Sequence, residues 1–511
     1  MSEQTPPTND NDQARIGIDE WVAQVASRQR GGNPLLRRWE QIPERYRYAG
    51  ILLIALIFPF FMGTEFILNA FDITDNSFIL RIAVRFLTFA IMAIGLNVVV
   101  GYAGLLDLGY IAFLGLAGYF YAYLSSTFVV SERFIVIPNG LALPSIFSIP
   151  LIMLAVAGIG YLIGSVSIRL AGDYLAIVTL GFGQVFLSLA LTLTRVPVPW
   201  SNRPVDLTRG PNGINNLDNI NLFGYEFTTT TQYYFLFLAL LVLVYVFVRN
   251  LNHSRIGRAW RAIREDELAA EVMGTPTRRL KLLAFAIGAG IAALAGATDA
   301  AFQGSVVPNP RYSVITLINL YAMMVLGGTG SLPGAIIGAL IFTVLPEILR
   351  SVAAAGILFY VGAIVGLWFA LRPWKRFAAV LGGAIAGGIV LKVLVRLLAP
   401  VSWDNGFPEA GSLLNQVVQG WLVIPENYQL VGNVVVALAV FTLLLAILMR
   451  HRDKLHLGLL GLAIYLFAFA WETRLAVEPA ATRILVVGVT LVVLMVARPQ
   501  GLLGKTEVKV I

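Results

Sequence analysis

The chain of 511 residues contains no cysteine, only three histidines and only 13% charged residues. Each shortage excludes a class of chemistry. Without cysteine there can be no disulfide framework and no thiolate metal site, and His253, His451 and His456 are too few and too scattered for an imidazole one. No metal or other cofactor is therefore expected on this chain. Scarce charge, set against 58% apolar residues and a mean hydropathy of +0.77, excludes a soluble enzyme and a disordered scaffold. The apolar residues run continuously for the length of a bilayer helix, which also excludes an outer-membrane barrel with its alternating strands. What remains is an all-α, polytopic transmembrane bundle in contact with lipid.

The formal charge is +8, but the Lys and Arg lie in short runs between apolar segments, where they set topology. No nucleic-acid partner is expected. Apolar runs fall near 48–64, 86–103, 108–124, 146–166, 174–194 and 233–248, and the most basic loop, 249–281 with eight Lys or Arg, follows. Residues 1–47 form a polar tail ending in Arg37, Arg38, Arg45 and Arg47. An even number of crossings puts this tail and that loop on one side, and the positive-inside rule makes it the cytosol. The stretch 195–232 then lies outside. Eight further runs, near 282–302, 314–327, 334–350, 356–371, 377–398, 430–449, 456–471 and 484–497, bring the total to about fourteen spans. RPWKR (372–376), RHRDK (450–454) and the tail from Arg498 fall inside; 400–429, with Asp404, Glu409 and Glu426 and no Lys or Arg, falls outside. Both termini are expected in the cytosol. No basic n-region leads directly into an apolar h-region at the N-terminus, so no cleavable signal peptide is expected.

Residues 255–274 are charged yet interleaved with Ile256, Trp260, Ile263, Leu268 and Val272, the pattern of a short helix lying on the membrane surface. Gly274 and Pro276 stop it. Two readings stand: a surface-bound linker, or a docking helix whose small residues Ala269, Ala270 and Gly274 permit close approach by a partner. Glycines punctuate GYAGLLDLG (101–109) and LGGTGSLPG (326–334) densely enough to break helices. Close helix packing in lipid is one account and a transport path lined by broken helices is the other. A re-entrant or merged pair of spans would fall at GGTGSLPG. Arg85, Asp107, Asp299 and Glu347 lie toward span ends, where interfacial solvation accounts for them. The C-terminal GLLGKT resembles a phosphate loop, but Pro499 stands where its first glycine is required.

Six segments in order resemble the branched-chain amino-acid permease family of bacterial ABC importers, in its LivM-like branch. They are GLNVVVGYAGLLDLGYIAF (95–113), RLAGDYLAIVTLGFG (169–183), GPNGI (210–214), GRAWRAIREDELAAEVMG with TRRLKLLAF (257–285), VLGGTGSLPGA (325–335) and RPQGLLG (498–504). The resemblance implies a type II-like permease of the bacterial inner membrane that imports branched-chain or neutral amino acids. It implies a second permease subunit, two cytosolic ATPase subunits that bind the ATP, and an external substrate-binding protein. Glu267, Ala269, Ala270 and Gly274 match the family's coupling helix, and nothing on this chain is catalytic. Candidates for the translocation path are Gly101, Gly104, Asp107, Gly181, Gly183, Gln184, Gly327 and Gly328. Gln184, Leu187 and Arg209 depart from the family's usual residues, as does VVPNPRYS (306–313), which lacks an acid. The alternatives are a permease for urea or short amides and, from another class, an ion-coupled carrier. The organisation implied is a tail (1–47), a permease core (48–350) with the coupling loop 249–281, an extra module of four spans (351–482) and a last span with its tail (483–511).

Overall fold

A computed structural model of the protein describes residues 43–62, 76–126, 128, 143–168, 173–197, 204–349, 352–371, 374–398, 420–425, 428–449, 453–477 and 500–504, with isolated positions between 484 and 495. Residues 1–64 form one unit and 65–511 a second. The first contains a single described helix, α1 (Glu44–Met62). The apolar run near 484–497 and the tail beyond residue 504 lie largely outside the described residues.

The second unit is built from helices. In order they are α2 (Asn76–Leu96), α3 (Tyr110–Ser125), α4 (Ser145–Ser167), α5 (Asp173–Thr192), α6 (Thr230–His253), α7 (Arg255–Glu265), α8 (Glu267–Val272), α9 (Thr277–Gln303), α10 (Val314–Gly327) and α11 (Leu332–Ile348). Then come α12 (Val352–Ala370), α13 (Trp374–Leu398), α14 (Tyr428–Leu448) and α15 (Asp453–Val477). Each apolar run up to residue 471 coincides with one of these helices. Among the described residues, eight helices have the length and apolarity to cross a membrane, and five shorter apolar helices accompany them. α10, with 14 residues, rises about 21 Å, short of the roughly 30 Å hydrocarbon layer. It packs against α11 as a hairpin turning at GGTGS, in the manner of a re-entrant pair.

The helix ends are set by local chemistry. Thr229 and Gln232 form a reciprocal capping box at the start of α6. Ser331 accepts from the Gly334 amide at the start of α11, and Gly304, at φ +63°, closes α9. The centre of the core is α9, whose stretch AFAIGAGIAALAGATDAA is small and largely buried. It lies against α2, α3 and α4. Gly288 faces Val99 and the Gly95 carbonyl, Gly296 faces the Leu114 carbonyl, and Gly160 of α4 faces Ala289. Close backbone approach through small residues is how helices associate where lipid is as apolar as the side chains.

Short strands close the opposite end of α9 from the basic loop. β1 (Ile214–Asn215) pairs antiparallel with β4 (Ser305–Val306), and β2 (Asn221–Leu222) with β3 (Tyr225–Glu226). The four helices α12–α15 pack chiefly on one another, and Trp471 of α15 rests on Leu345 and Leu349 at the end of α11.

Candidate functional site

The basic loop folds into an element held against the core. Ser254 caps α7, accepting from Ile256 N at 3.2 Å and Gly257 N at 3.5 Å. A side chain at Gly257 would lie 2.3 Å from the Asn252 carbonyl, so only glycine lets the chain double back from α6. Trp260 is wholly buried, and its indole N–H donates to the Leu280 carbonyl at 2.8 Å. Gly257, Trp260 and Ile263 are turned into the protein, which corrects the expectation of an apolar stripe lying on lipid. The expected single helix over 255–274 is two helices, because Asp266 leaves the helical region (φ −154°) to accept from Ala269 N at 3.0 Å and cap α8.

All four expected coupling residues lie on α8 or at its end. Ala270 is buried and Ala269 exposed. Gly274 adopts φ +80° with open space around its Cα among the described residues, so conformation rather than close approach requires glycine there. Glu267 pairs with Lys281 at the base of α9, 2.5 Å away. Leu268, Val272 and Met273 are 76–84% exposed on the same short element, an apolar patch that the interleaved pattern had assigned to lipid.

The two glycine-rich segments meet beside this element. α2 passes into a π-helical turn, Asn97–Tyr102, and residues 103–109 are non-helical before α3 begins. Asn97 Oδ1 accepts from the Gly330 amide at 2.8 Å, tying the π turn to the α10–α11 turn. A Cβ on Gly101 would collide with Asn97 Oδ1 and with Gly330 N, and one on Gly327 with the Gly334 carbonyl. The last described residues form a strap over the same turn: Leu502 N and Leu503 N donate to the carbonyls of Leu326 and Gly327 at 2.9 and 3.0 Å. Gly328 packs on Gly501 and Gly504. RPQGLLG thus serves as a clasp on LGGTGSLPG.

Asp107 lies in the break after α2, only 1% exposed. Interfacial solvation does not account for it, and that expectation is corrected. Its Oδ1 accepts from Gly109 N at 2.9 Å, and its Oδ2 has no hydrogen-bond partner among the described residues. Tyr321 of α10 donates to its carbonyl at 2.6 Å, and Leu108 N donates to Thr179 of α5 at 2.9 Å. Gly101, Gly104, Asp107, Gly327 and Gly328 are therefore neighbours in one assembly. Gly183 reaches it, with its Cβ position 3.6 Å from Gly109 Cα, whereas Gly181 and Gln184 lie on the exposed face of α5. Asn97, Thr179 and Tyr321 were invisible to sequence reasoning, since a single polar residue in an apolar run carries no signal of its partner. Asp299, at the far end of α9, pairs with Arg311 at 3.3 Å.

At that far end, GPNGI is a tight turn. Gly210 and Gly213 have φ of +54° and +64°, and a Cβ on Gly213 would strike the Val306 carbonyl. Asp206 Oδ1 accepts from Arg209 N at 2.7 Å, and Tyr123 donates to Leu207 O at 2.8 Å. Phe223, at φ +53°, stands 93% exposed at the tip of the β2–β3 hairpin. Burial, with Glu226 adding repulsion, raises the Asp218 carboxyl above its ordinary value.

Residues 78–361 match the family described as branched-chain amino acid transport system, permease component, which is more than half of the chain. The chain belongs to this family. The permease is 32% identical over 355 residues to the high-affinity branched-chain amino acid transport system permease protein LivM of Escherichia coli (strain K12), covering 65% of this chain and 74% of that one. It is 33% identical over 346 residues to LivM of Salmonella typhimurium, covering 63% of this chain and 72% of the relative. To LivH of Salmonella typhimurium, a permease protein of the same kind of system, it is 43% identical over 94 residues, 18% of this chain and 30% of the relative. No solved structure matches. The chain is thus a multi-pass membrane permease subunit of an ABC importer, and the family match ends at residue 361, in the middle of α12.

Proposed function

We propose that this permease forms half of a pore that moves branched-chain or neutral amino acids across a bacterial inner membrane. A second permease subunit supplies the other half, two cytosolic ATPases hydrolyse the ATP, and an external binding protein delivers the substrate. The chain itself binds no cofactor. Both LivM and LivH are permease proteins of branched-chain amino acid systems, which supports both the pairing and the substrate class.

One observation carries the reading. α7–α8 is fastened to the base of α9 by Trp260 and Lys281, while Leu268, Val272 and Met273 stand exposed beside the acids Glu267 and Glu271. A rigid mount with an uncovered apolar patch suits an element that receives a partner and passes on its movement. The eight basic residues of 249–281 support a cytosolic position for it and for both termini. The GPNG turn and the exposed hairpin then face outward, toward the binding protein. Asp107 and the glycine assembly sit at the inner end of the path; Gly181 and Gln184 line it or meet the second permease.

Co-purification tests this. Leu268→Asp with Met273→Asp should leave the permease inserted and paired but free of ATPase, with uptake abolished. Wild-type uptake and full ATPase recovery would overturn the coupling assignment. Uptake of labelled leucine by the reconstituted complex, undiminished by excess urea or acetamide, is the result expected for the substrate class.

A further inference from the structure

Arg264 is the point at which α7 meets the end of α2. Its side chain threads a slot made of missing side chains. A Cβ on Gly104 (φ +70°) would lie 3.0 Å from Arg264 Cγ, and one on Gly330 (φ +84°) would lie 3.1 Å from Nη1. Nη1 donates to the Gly101 carbonyl at 2.6 Å, a short charge-assisted bond. Gly101 lies in the last π-helical turn of α2, where carbonyls have lost their intrahelical partners and the helix dipole favours a cation. Through Asn97, the same turn holds Gly330. One guanidinium therefore touches both glycine-rich segments.

We propose that Arg264 is a positioning residue, a strut that makes α7–α8, the end of α2 and the α10–α11 turn move as one body. This rests on reading α7–α8 as the ATPase-coupling element. Trp260 and Lys281 fix the element to the base of α9, and the bonds at the α6–α7 junction hold its start. Arg264, at the far end of α7, supplies the hydrogen bond to the end of α2, through which a displacement of α8 is carried to that turn. The movement imposed at α8 then reaches the break containing Asp107, six residues beyond Gly101. Neighbouring arginines make their hydrogen bonds elsewhere. Arg258 bonds to the His253 carbonyl and Arg261 to Asn252 Oδ1, both near the α6–α7 junction.

The test uses the reconstituted complex with its ATPases, second permease and binding protein, and reads amino acid moved per ATP hydrolysed. Arg264→Ala should keep its ATPases and binding-protein-stimulated hydrolysis while that ratio falls at least tenfold. Arg264→Lys should recover part of it, and Arg258→Ala, whose partner is the His253 carbonyl, should match the wild type. A covalent strut provides the second arm. The Cβ built on Gly104 lies 3.3 Å from Arg264 Cβ, near the span of a disulfide, and the chain has no other cysteine. The double variant Gly104→Cys with Arg264→Cys should be uncoupled when reduced and recover coupling when oxidised. A wild-type ratio for Arg264→Ala would overturn the strut. So would loss of the remaining uptake on oxidation, because that would mean the joint opens in every cycle. Failure of the coupling reading itself would show differently, as full uptake and ATPase recovery when Leu268 and Met273 are replaced.

Discussion

The core helices α2–α11 and the four helices α12–α15 are both rich in glycine, yet their glycines meet different surroundings. In the core, a Cβ added to Gly288, Gly296, Gly327 or Gly338 would fall 1.9–2.4 Å from a neighbouring atom. In α12–α15, added Cβ atoms at Gly362, Gly366, Gly382, Gly383, Gly387 and Gly458 meet nothing within 4 Å among the described residues. Gly388, against Trp421, and Gly432, against Thr473, are the close approaches there. Glycine in a membrane helix thus has two meanings that composition does not separate: a backbone joint, or a small residue on an open face. Gly101, Gly104, Gly328 and Gly330 are the joints at which the coupling element, the π turn and the clasp converge, while Gly296 joins α9 to α3.

The largest effect expected follows directly. Gly338→Val places a branched side chain on the Met323 carbonyl, 1.9 Å from the Cβ position, and should cost about 3 kcal/mol or more, enough to lose the folded protein. Gly382→Ala and Gly387→Ala should instead be neutral or stabilise α13 by roughly 0.5 kcal/mol through helix propensity. Thermal loss of monodisperse protein in detergent measures both. Equal losses at both sites would erase the distinction between core and module.

A smaller effect separates the two faces of α8. Ala270 is buried, so Ala270→Trp should lower stability by about 1–3 kcal/mol through overpacking. Ala269 is exposed, so Ala269→Trp should leave the melting temperature unchanged and act on uptake alone. Gly274→Asn should be tolerated, because asparagine accepts left-handed backbone, whereas Gly274→Val should cost about 1–2 kcal/mol. If bulk at Ala269 and Ala270 destabilised the protein equally, α8 would have no free face.

The helices were legible from the sequence because a bilayer span is a local property: twenty apolar residues suffice, and the runs from 48 to 471 coincide with helices α1–α6, α9–α11 and α12–α15. The breaks were legible for the same reason, since GYAG and GGTGSLPG stop a helix wherever they occur. Long-range partners were not. Trp260 reads as an interfacial aromatic until Leu280 O is seen 2.8 Å from its indole. Arg264 reads as one of several topology arginines, because its role depends on Gly104 and Gly330 lacking side chains far along the chain. Asp107 looked solvated because its distance from the run's end was countable, but the covering by α5 and α10 was not. Glu267 has the same lesson in reverse. It reads as part of the coupling helix, and within the chain it is paired to Lys281, half exposed, so Glu267→Gln should cost no more than about 1 kcal/mol in a melting experiment.

The smallest effect expected on transport is that of the largest alteration. Residues 351–482 lie almost wholly beyond the family match, which ends at 361. Among the described residues they contribute four long helices, an even number, so deleting the block should leave the alternation of crossings on either side of it unchanged. One described attachment to the core is Trp471, which packs with Leu345 against Leu349, and Val486 of the retained segment packs on the same residue. Removal therefore uncovers little apolar surface of α11, and part of it keeps its cover. Among the described residues, the glycine joints of the core, the Arg264 slot and the clasp over Gly327 and Gly328 do not involve the block. The deleted permease should assemble with its partners and retain uptake per complex within about twofold of the wild type. Yield should fall somewhat, since Leu349 loses Trp471 as part of its cover. Uptake normalised to assembled complex, measured in proteoliposomes, separates the two. A normally assembled complex without uptake would show that α12–α15 take part in transport, and the open glycines of α13 would then be the first residues to substitute.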